Sequence, residues 1–273
     1  MNTPIDHHRP TAPNTALSPH SRRHFLRAAA LASAALSSQW MGPAVAQSAS
    51  AAAKPAPLQV AVITGGHLFD VPNFHRLFRA LDGIEAYIQP MADFAASPEK
   101  VRDSYDVLLF YIMLMEDPAE AKVPRPANQA RAVLERLGAT EQGIVIMHHA
   151  LLAYPKSALW SEVVGIADRK FTFDHDQTLE VRVADADHPI TRGLPQPWEM
   201  IDETYNMASA AEGSSILLTV DHPKSMKTIA WTRQYKKARV FCTESGHDNQ
   251  TWVNPNFKQV LRRGILWTAR RLE

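Results

Sequence analysis

The 273-residue chain carries 29 Lys and Arg against 28 Asp and Glu, so its formal net charge is only +1. Part of the positive charge lies near the N-terminus and no basic stripe follows, which argues against nucleic acid as a partner. The single cysteine, Cys242, excludes an intramolecular disulfide framework. Its position inside an apolar run predicts a packed, unreactive thiol.

Residues 1–46 have the pattern of an export signal. The twin arginines Arg22 and Arg23 stand before a Phe-Leu pair, an Ala-rich apolar run follows, and small residues close the segment. This order predicts a twin-arginine signal peptide and a periplasmic or other extracytoplasmic location. A membrane anchor is the alternative, but Gln39, Gly42 and Pro43 interrupt the apolar run. We therefore expect no stable membrane insertion after processing.

The remaining chain divides into a short tether and one domain. Residues 47–57 are rich in Ala, Lys and Pro, and they predict a flexible tether. Residues 58–273 suit a single domain with a substantial core.

Apolar runs alternate with amphipathic segments through the first half of this domain. Predicted strands lie at 58–64, 84–88, 106–111 and 144–147, and predicted helices begin at 72 and span 127–137. A polar, proline-containing loop is predicted between 116 and 126. The alternation predicts a doubly wound, mostly parallel α/β sheet flanked by helices in three layers.

The order of elements changes in the second half. A short helix is predicted at 160–165, strands at 179–183, 215–220, 228–231 and 239–243, and a closing helix at 255–272.

Three apolar strands end in histidine. His67 follows two glycines after the first strand, His148 and His149 follow the fourth, and His247 follows the last. Carboxyl ends of parallel strands share one edge of a sheet, where ligands bind in open α/β folds. We therefore expect these side chains to converge, although hydrogen bonding within a packed loop is an equal alternative for an isolated histidine pair.

Two polar segments are predicted to roof this edge. The candidate catalytic residues are His148, His67, His247 and Glu203, and the candidate substrate-binding residues are Tyr205, His149, His175 and Asp202. Histidine and carboxylate form general acid–base pairs, and they equally bind zinc, manganese or iron. The candidate metal ligands are His67, His148 and His247, but no HxH or HExxH spacing separates metal binding from acid–base chemistry.

An ordered set of short motifs resembles the trehalose-utilisation (ThuA-like) family. The matching segments are Gly65-Gly66-His67, Met147-His148-His149-Ala150, His188-Pro189-Ile190-Thr191-Arg192-Gly193-Leu194, Asp202-Glu203-Thr204-Tyr205, the Trp231 strand, Gly246-His247 and Gly264-Ile265-Leu266-Trp267. They cover nearly the whole domain at 58–273. The segment at 113–126 and the absence of Gly-Gly-Gly before Ile144 depart from the family pattern and leave substrate specificity open.

The resemblance implies a class I glutamine amidotransferase-like, flavodoxin-like fold. In amidotransferases the strand before the catalytic elbow delivers a cysteine nucleophile, whereas this chain has His148 there and Cys242 in another strand. Glutamine hydrolysis is therefore not expected. His148 is weighted over His149 because the family resemblance places its histidine there.

The resemblance also implies a small-molecule carbohydrate as the partner. The leading interpretation is an exported enzyme, a hydrolase, lyase or isomerase, that acts on a sugar or keto-sugar by His/Glu acid–base chemistry with or without a metal. One alternative is a non-catalytic module that stacks pyranose rings on the aromatic side chains of Trp160, Trp198, Tyr205, Trp231 and Trp252. The other is an accessory subunit of a dehydrogenase. Association into a homo-oligomer is left open.

Overall fold

The computed structural model describes residues 55–116 and 126–273, with the side chains of 126–128 excepted. The predicted signal peptide, most of the predicted tether and nearly all of the predicted 116–126 loop lie outside the described residues. None of the helices in the described part is long and apolar enough to cross a membrane.

Strands and helices alternate through the first half of the described chain. The strands are β1 (Leu58–Gly65), β2 (Ile84–Pro90), β3 (Val107–Ile112), β4 (Gly143–Met147), β5 (Thr172–Val183), β6 (Trp198–Asn206), β7 (Ser214–Thr219), β8 (Thr228–Tyr235) and β9 (Ala238–Thr243). The helices are α1 (Val71–Arg79), α2 (Met91–Ala96), α3 (Glu99–Arg102), α4 (Pro126–Arg136), α5 (Ala158–Val164), α6 (Asn249–Val253) and α7 (Pro255–Thr268), with a 3₁₀ helix at His148–Leu151.

These strands form one mixed sheet in the order β2-β1-β3-β4-β9-β8-β7-β5-β6. β1, β2, β3, β4 and β9 pair in parallel, as predicted, and the remaining pairings are antiparallel. Only two residues separate β8 from β9, and a connection that short cannot make the crossover that a parallel pair needs. The flanked α/β sheet is therefore confirmed, with an antiparallel extension on one side.

The core has two halves, one on each face of the sheet. Val60 and Val62 of β1 pack in the half that contains residues of α1 and α7. Ala61 and Ile63 pack in the half that contains residues of α2, α4 and α5. Successive side chains of a strand point to opposite faces, so a continuous apolar strand such as β1 fits a sheet covered by helices on both sides. This gives the predicted three layers.

Several bounds differ from the predictions. β5 is much longer than the predicted strand at 179–183, and α7 ends at Thr268 rather than at 272. The short helices α2, α3 and α6 were not predicted, because four to six residues make fewer than two helical turns and show no periodicity.

Candidate active site

The strand-end histidines lie together at the carboxyl edge of the parallel half. The ring centroid of His247 is 5.7 Å from that of His67 and 5.2 Å from that of His148. The loops that carry these residues follow β1, β4 and β9, whose parallel pairing brings their ends to the same edge.

His148 occupies a strained elbow where β4 turns into the 3₁₀ helix. Its φ of 54° lies in the left-handed region, which histidine enters more readily than most non-glycine residues. The side chain is fully buried. Its Nδ1 lies 2.6 Å from the carbonyl oxygen of Glu244, and its Nε2 lies 2.6 Å from the hydroxyl of Tyr205. Because a carbonyl only accepts, Nδ1 carries the hydrogen and Nε2 presents its lone pair to the site.

The carboxylate of Glu203 is the centre of the cluster. Oε1 lies 3.3 Å from Nε2 of His148, while Oε2 lies 2.6 Å from Nδ1 of His175 and 3.7 Å from Nε2 of His247. Burial opposes ionisation, but the adjacent imidazoles of His148 and His247 lower the pKa of Glu203 to about 2. Glu203 is therefore an ionised carboxylate surrounded by three imidazoles.

A β-bulge places His175 against this carboxylate. Asp174 of β5 pairs with Thr204 of β6, and Gln177 pairs with Asp202, so two residues of β5 stand opposite Glu203 alone. A bulge bends its strand and redirects a side chain, and bulges recur beside active sites. The side chain of His175 is 58% exposed, whereas that of Glu203 is 8% exposed. Solvent therefore reaches the carboxylate from the His175 side.

The hairpin of β5 and β6 is tied to the strand ends through Tyr205 and Glu244. The backbone N–H of Tyr205 donates to Oε1 of Glu244 at 2.8 Å, and its carbonyl accepts from the N–H of Met226. Burial raises the pKa of the Glu244 carboxyl well above its ordinary value. Sequence reasoning missed Glu244, although a polar residue directly after a buried strand is a signal that could have identified it.

Asp202, a predicted substrate-binding residue, faces the backbone of the loop that follows β9. Its carboxylate accepts from the N–H groups of Glu203, Gly246 and His247 at 3.0, 2.7 and 3.0 Å. Only 1% of the residue is exposed. Asp202 therefore holds His247 in place from behind the site.

His149 lies beneath the cluster and is buried. Its ring centroid is 4.1 Å from that of Tyr111 and 4.7 Å from that of His67. Burial, together with the adjacent His148 and His67, lowers the pKa of His149 to about 2. His149 is therefore a neutral ring packed beneath the cluster.

The aromatic residues considered for sugar stacking are buried. This group consists of Trp160, Trp198, Tyr205, Trp231 and Trp252. The aromatic side chain that is open to solvent beside the cluster is Phe173, which is 53% exposed and whose ring centroid is 5.2 Å from that of His175. Sequence reasoning did not select Phe173.

Cys242 is fully buried, as predicted, and takes no part in the cluster. Its Sγ faces the carbonyl oxygen of Val164 at 3.7 Å, and burial raises the pKa of the thiol. The thiol is thus a packed group.

Among the described residues, one group of possible metal ligands has its donor atoms close together. His148, Glu203 and His247 each offer an atom within 4.8 Å of the others. The ligand set predicted from the sequence was His67, His148 and His247. In the structure Glu203 takes the place of His67 in this group.

Comparisons with known proteins agree with this architecture. A ThuA-like protein from Parabacteroides merdae superimposes with a TM-score of 0.61 at 20% identity, over 78% of this chain and 90% of that one. A ThuA-like protein from Bacteroides uniformis gives 0.57 at 17% identity, over 78% and 92%. A cytoplasmic protein of Salmonella typhimurium gives 0.57 at 14% identity, over 77% and 99%. At these identities the likeness establishes a shared fold. No curated protein matches significantly.

The fold and the cluster define a mixed α/β protein with a histidine-surrounded carboxylate at the carboxyl edge of its sheet. The sequence profile of the ThuA family, described as trehalose utilisation, matches residues 90–268, which is more than half of the chain. The chain belongs to the ThuA family.

Proposed function

We propose that this protein is an enzyme of carbohydrate utilisation that moves a proton on a sugar, with His175 and Glu203 as its acid–base pair. One observation carries the proposal. Nδ1 of His175 lies 2.6 Å from Oε2 of Glu203, and the His175 ring is largely exposed. A histidine whose inner nitrogen is bound to a carboxylate and whose ring is open to solvent has the arrangement of a general base.

The roles within the pair follow from the donors and acceptors. An ionised carboxylate accepts, so Nδ1 of His175 carries the hydrogen and Nε2 is the nitrogen that takes a proton from a bound molecule. Glu203 then stabilises the resulting imidazolium. His148 and Tyr205 contact the carboxylate from the buried side and fix its orientation. His148 therefore acts as a positioning residue, since its fully buried ring cannot touch a substrate.

The substrate class in this proposal is a sugar that carries a carbonyl group. Hydrogen on the carbon next to a carbonyl is acidic enough for an imidazole to remove, and lyase and isomerase reactions of oxidised sugars begin with that step. The family description of trehalose utilisation supports a disaccharide, and a keto form of that sugar would supply the carbonyl group. Metal assistance is compatible with the arrangement, because two further imidazoles contact the same carboxylate.

The alternative of a non-catalytic sugar-binding module receives less support. Such modules stack sugar rings on exposed aromatic faces, and the indoles of Trp160, Trp198, Trp231 and Trp252 are buried.

Export belongs to the same proposal and rests on the pattern at residues 1–46. In a bacterial host with the twin-arginine system, the full chain should be recovered in the periplasmic fraction and lose its leader. Replacing Arg22 and Arg23 by lysine should leave it unprocessed in the cytoplasm. Processing of the double variant at the normal rate would contradict twin-arginine export.

Hydrogen exchange with solvent tests the catalytic proposal directly. Trehalose and other disaccharides, each with its keto form, are incubated with the protein in D₂O, and deuterium incorporation beside the carbonyl is followed by NMR. We expect incorporation with at least one keto-sugar and a loss of about 100-fold or more in His175→Ala and Glu203→Gln. His75→Ala, an exposed histidine of α1, is the matched control. Absence of incorporation across the panel, or full activity in both site variants, would overturn the proposal.

His175→Ala is a sharper variant than His148→Ala. His148 is fully buried and holds two hydrogen bonds, so its removal leaves a cavity and unpaired groups that destabilise the fold. The exposed ring of His175 can be removed without that cost. A melting curve of each variant separates lost chemistry from lost folding.

A further inference from the structure

We infer that His148, Glu203 and His247 form a binding site for one divalent transition-metal ion, with zinc as the first candidate. The inference that an ion binds rests on the ligand geometry alone. The role of the ion rests on the proposed function: it would polarise the sugar carbonyl and leave His175 free to move the proton.

The donor atoms are spaced for a single ion. Oε1 of Glu203 lies 3.3 Å from Nε2 of His148, and Oε2 lies 3.7 Å from Nε2 of His247. Zinc binds nitrogen and carboxylate oxygen at about 2.0–2.2 Å, which puts neighbouring donor atoms around one ion about 3–3.5 Å apart. One donor atom from each of the three residues lies within 4.8 Å of the others, so the side chains must draw closer together to share an ion.

A hydrogen bond on its far side orients the imidazole of His148, and a carboxylate lies at longer range on the far side of His247. Nδ1 of His148 donates to the Glu244 carbonyl at 2.6 Å, and Nδ1 of His247 faces Oδ2 of Asp248 at 3.7 Å. In protein metal sites a histidine ligand commonly donates its other N–H to a carbonyl or a carboxylate, which fixes the tautomer and turns the lone pair to the ion. Here both Nε2 atoms face Glu203.

Tyr205 is the group that an ion must displace. Its hydroxyl lies 2.6 Å from Nε2 of His148, where it takes up the lone pair of that nitrogen. The carboxylate of Glu203 is within reach of the same hydroxyl and can accept its hydrogen when the bond to His148 is given up. Entry from solvent is available, because the side chain of His247 is 18% exposed.

The chemistry of the donors selects the class of metal. Two imidazole nitrogens and one carboxylate oxygen are the ligands of many catalytic zinc sites and of sites for iron(II). Calcium and magnesium prefer sets made of oxygen alone. The site should therefore discriminate against Mg²⁺.

Calorimetric titration tests the inference on full-length protein made without an affinity tag. After dialysis against a chelator and removal of the chelator, the protein is titrated with ZnCl₂, with MnCl₂ and with MgCl₂ as the contrast. We expect one equivalent of Zn²⁺ or Mn²⁺ to bind at this site, and Mg²⁺ not to bind. Glu203→Gln and His247→Ala should each weaken that binding by more than about 100-fold, beyond the usual loss when only a hydrogen-bond partner of a ligand is changed. Histidines elsewhere in the chain are unchanged in these two variants, so a difference in binding from the unmodified protein is assigned to this site.

Two further variants keep the result interpretable. His75→Ala should bind like the unmodified protein. His175→Ala removes only a partner of Glu203, so it should weaken metal binding by less than about 100-fold while it loses hydrogen exchange, which separates this inference from the proposed function. Circular dichroism confirms that each variant is folded. Affinity and stoichiometry that are unchanged in both folded ligand variants would overturn the inference, as would the absence of binding at micromolar Zn²⁺ and Mn²⁺.

Discussion

Nε2 of His148 lies 3.3 Å from Oε1 of Glu203, although β4 and β6, the strands that supply them, stand far apart in the order of the sheet. The contact exists because the hairpin of β5 and β6 reaches back over the carboxyl ends of the parallel strands. β5 joins the sheet through only two paired residues, Arg182 and Val183, whereas its pairing with β6 runs nearly its full length. Changes that loosen this hairpin should therefore act on the site.

Asp202→Asn should destabilise the protein and reduce activity together. Asp202 accepts hydrogen bonds from three backbone N–H groups, and an amide would turn its own N–H₂ towards at least one of them. We expect a loss of about 1–3 kcal/mol in the free energy of unfolding, measured by urea denaturation. The exposed Asp82 provides the control, and an equal effect of Asp82→Asn would contradict this reading.

Gly66→Ala should cost more stability than Gly83→Ala, although both glycines have a φ of 78°. A methyl group at Gly83 meets nothing within 4 Å, so that substitution carries only the left-handed backbone cost of about 1–2 kcal/mol. A methyl group at Gly66 would overlap the carbonyl of Met113 and displace the loop that carries His67. Chemical denaturation of both variants measures the difference. Equal losses of stability in the two variants would show that the loop at Gly66 shifts to accommodate the methyl group at no cost.

Phe173→Ala should raise KM for the sugar while kcat and the melting temperature stay nearly unchanged. The exposed ring next to His175 offers an apolar face for a sugar, and removing an exposed side chain leaves no cavity. We expect a rise in KM of about tenfold, which corresponds to about 1.4 kcal/mol of lost binding energy. Val253→Ala removes another exposed apolar side chain and serves as the control. A fall in kcat alone would assign Phe173 a different role.

Asp103→Asn should show a stability loss that depends on pH. The hydrogen bond from Arg136 is the main cause that lowers the pKa of Asp103 from its ordinary 3.8. A carboxyl group whose pKa is lowered by folding stabilises the protein at pH values above its pKa in the unfolded state. That stabilisation is lost as the pH falls through its pKa in the folded state. Because the pair is one-third exposed, we expect a loss of about 0.5 kcal/mol at pH 7. Urea titrations at pH 7 and pH 2 measure the difference in free energy of unfolding between the unmodified protein and Asp103→Asn. This difference should shrink at pH 2, and a difference that stays constant would contradict a stabilising role for the ionised carboxylate.

Much of the fold could be predicted because its signals are local. The apolar run of β1 and the Gly-Gly that follows it indicate a buried strand and a tight turn without reference to the rest of the chain. The bulge in β5 has no such signal. It arises from the pairing of β5 with β6, and residues around His175 read as an irregular segment until that pairing is known.

The strand-end histidines His67, His148 and His247 were determined by the sequence itself, because a parallel sheet carries the ends of its strands to one edge wherever it forms. The tertiary structure decided which side chains these histidines contact at that edge. The fold of the β5–β6 hairpin made Glu203 the centre of the cluster, brought His175 against it through a bulge and turned Asp202 towards the backbone. These contacts join residues distant in the chain, and packing, rather than local pattern, sets them.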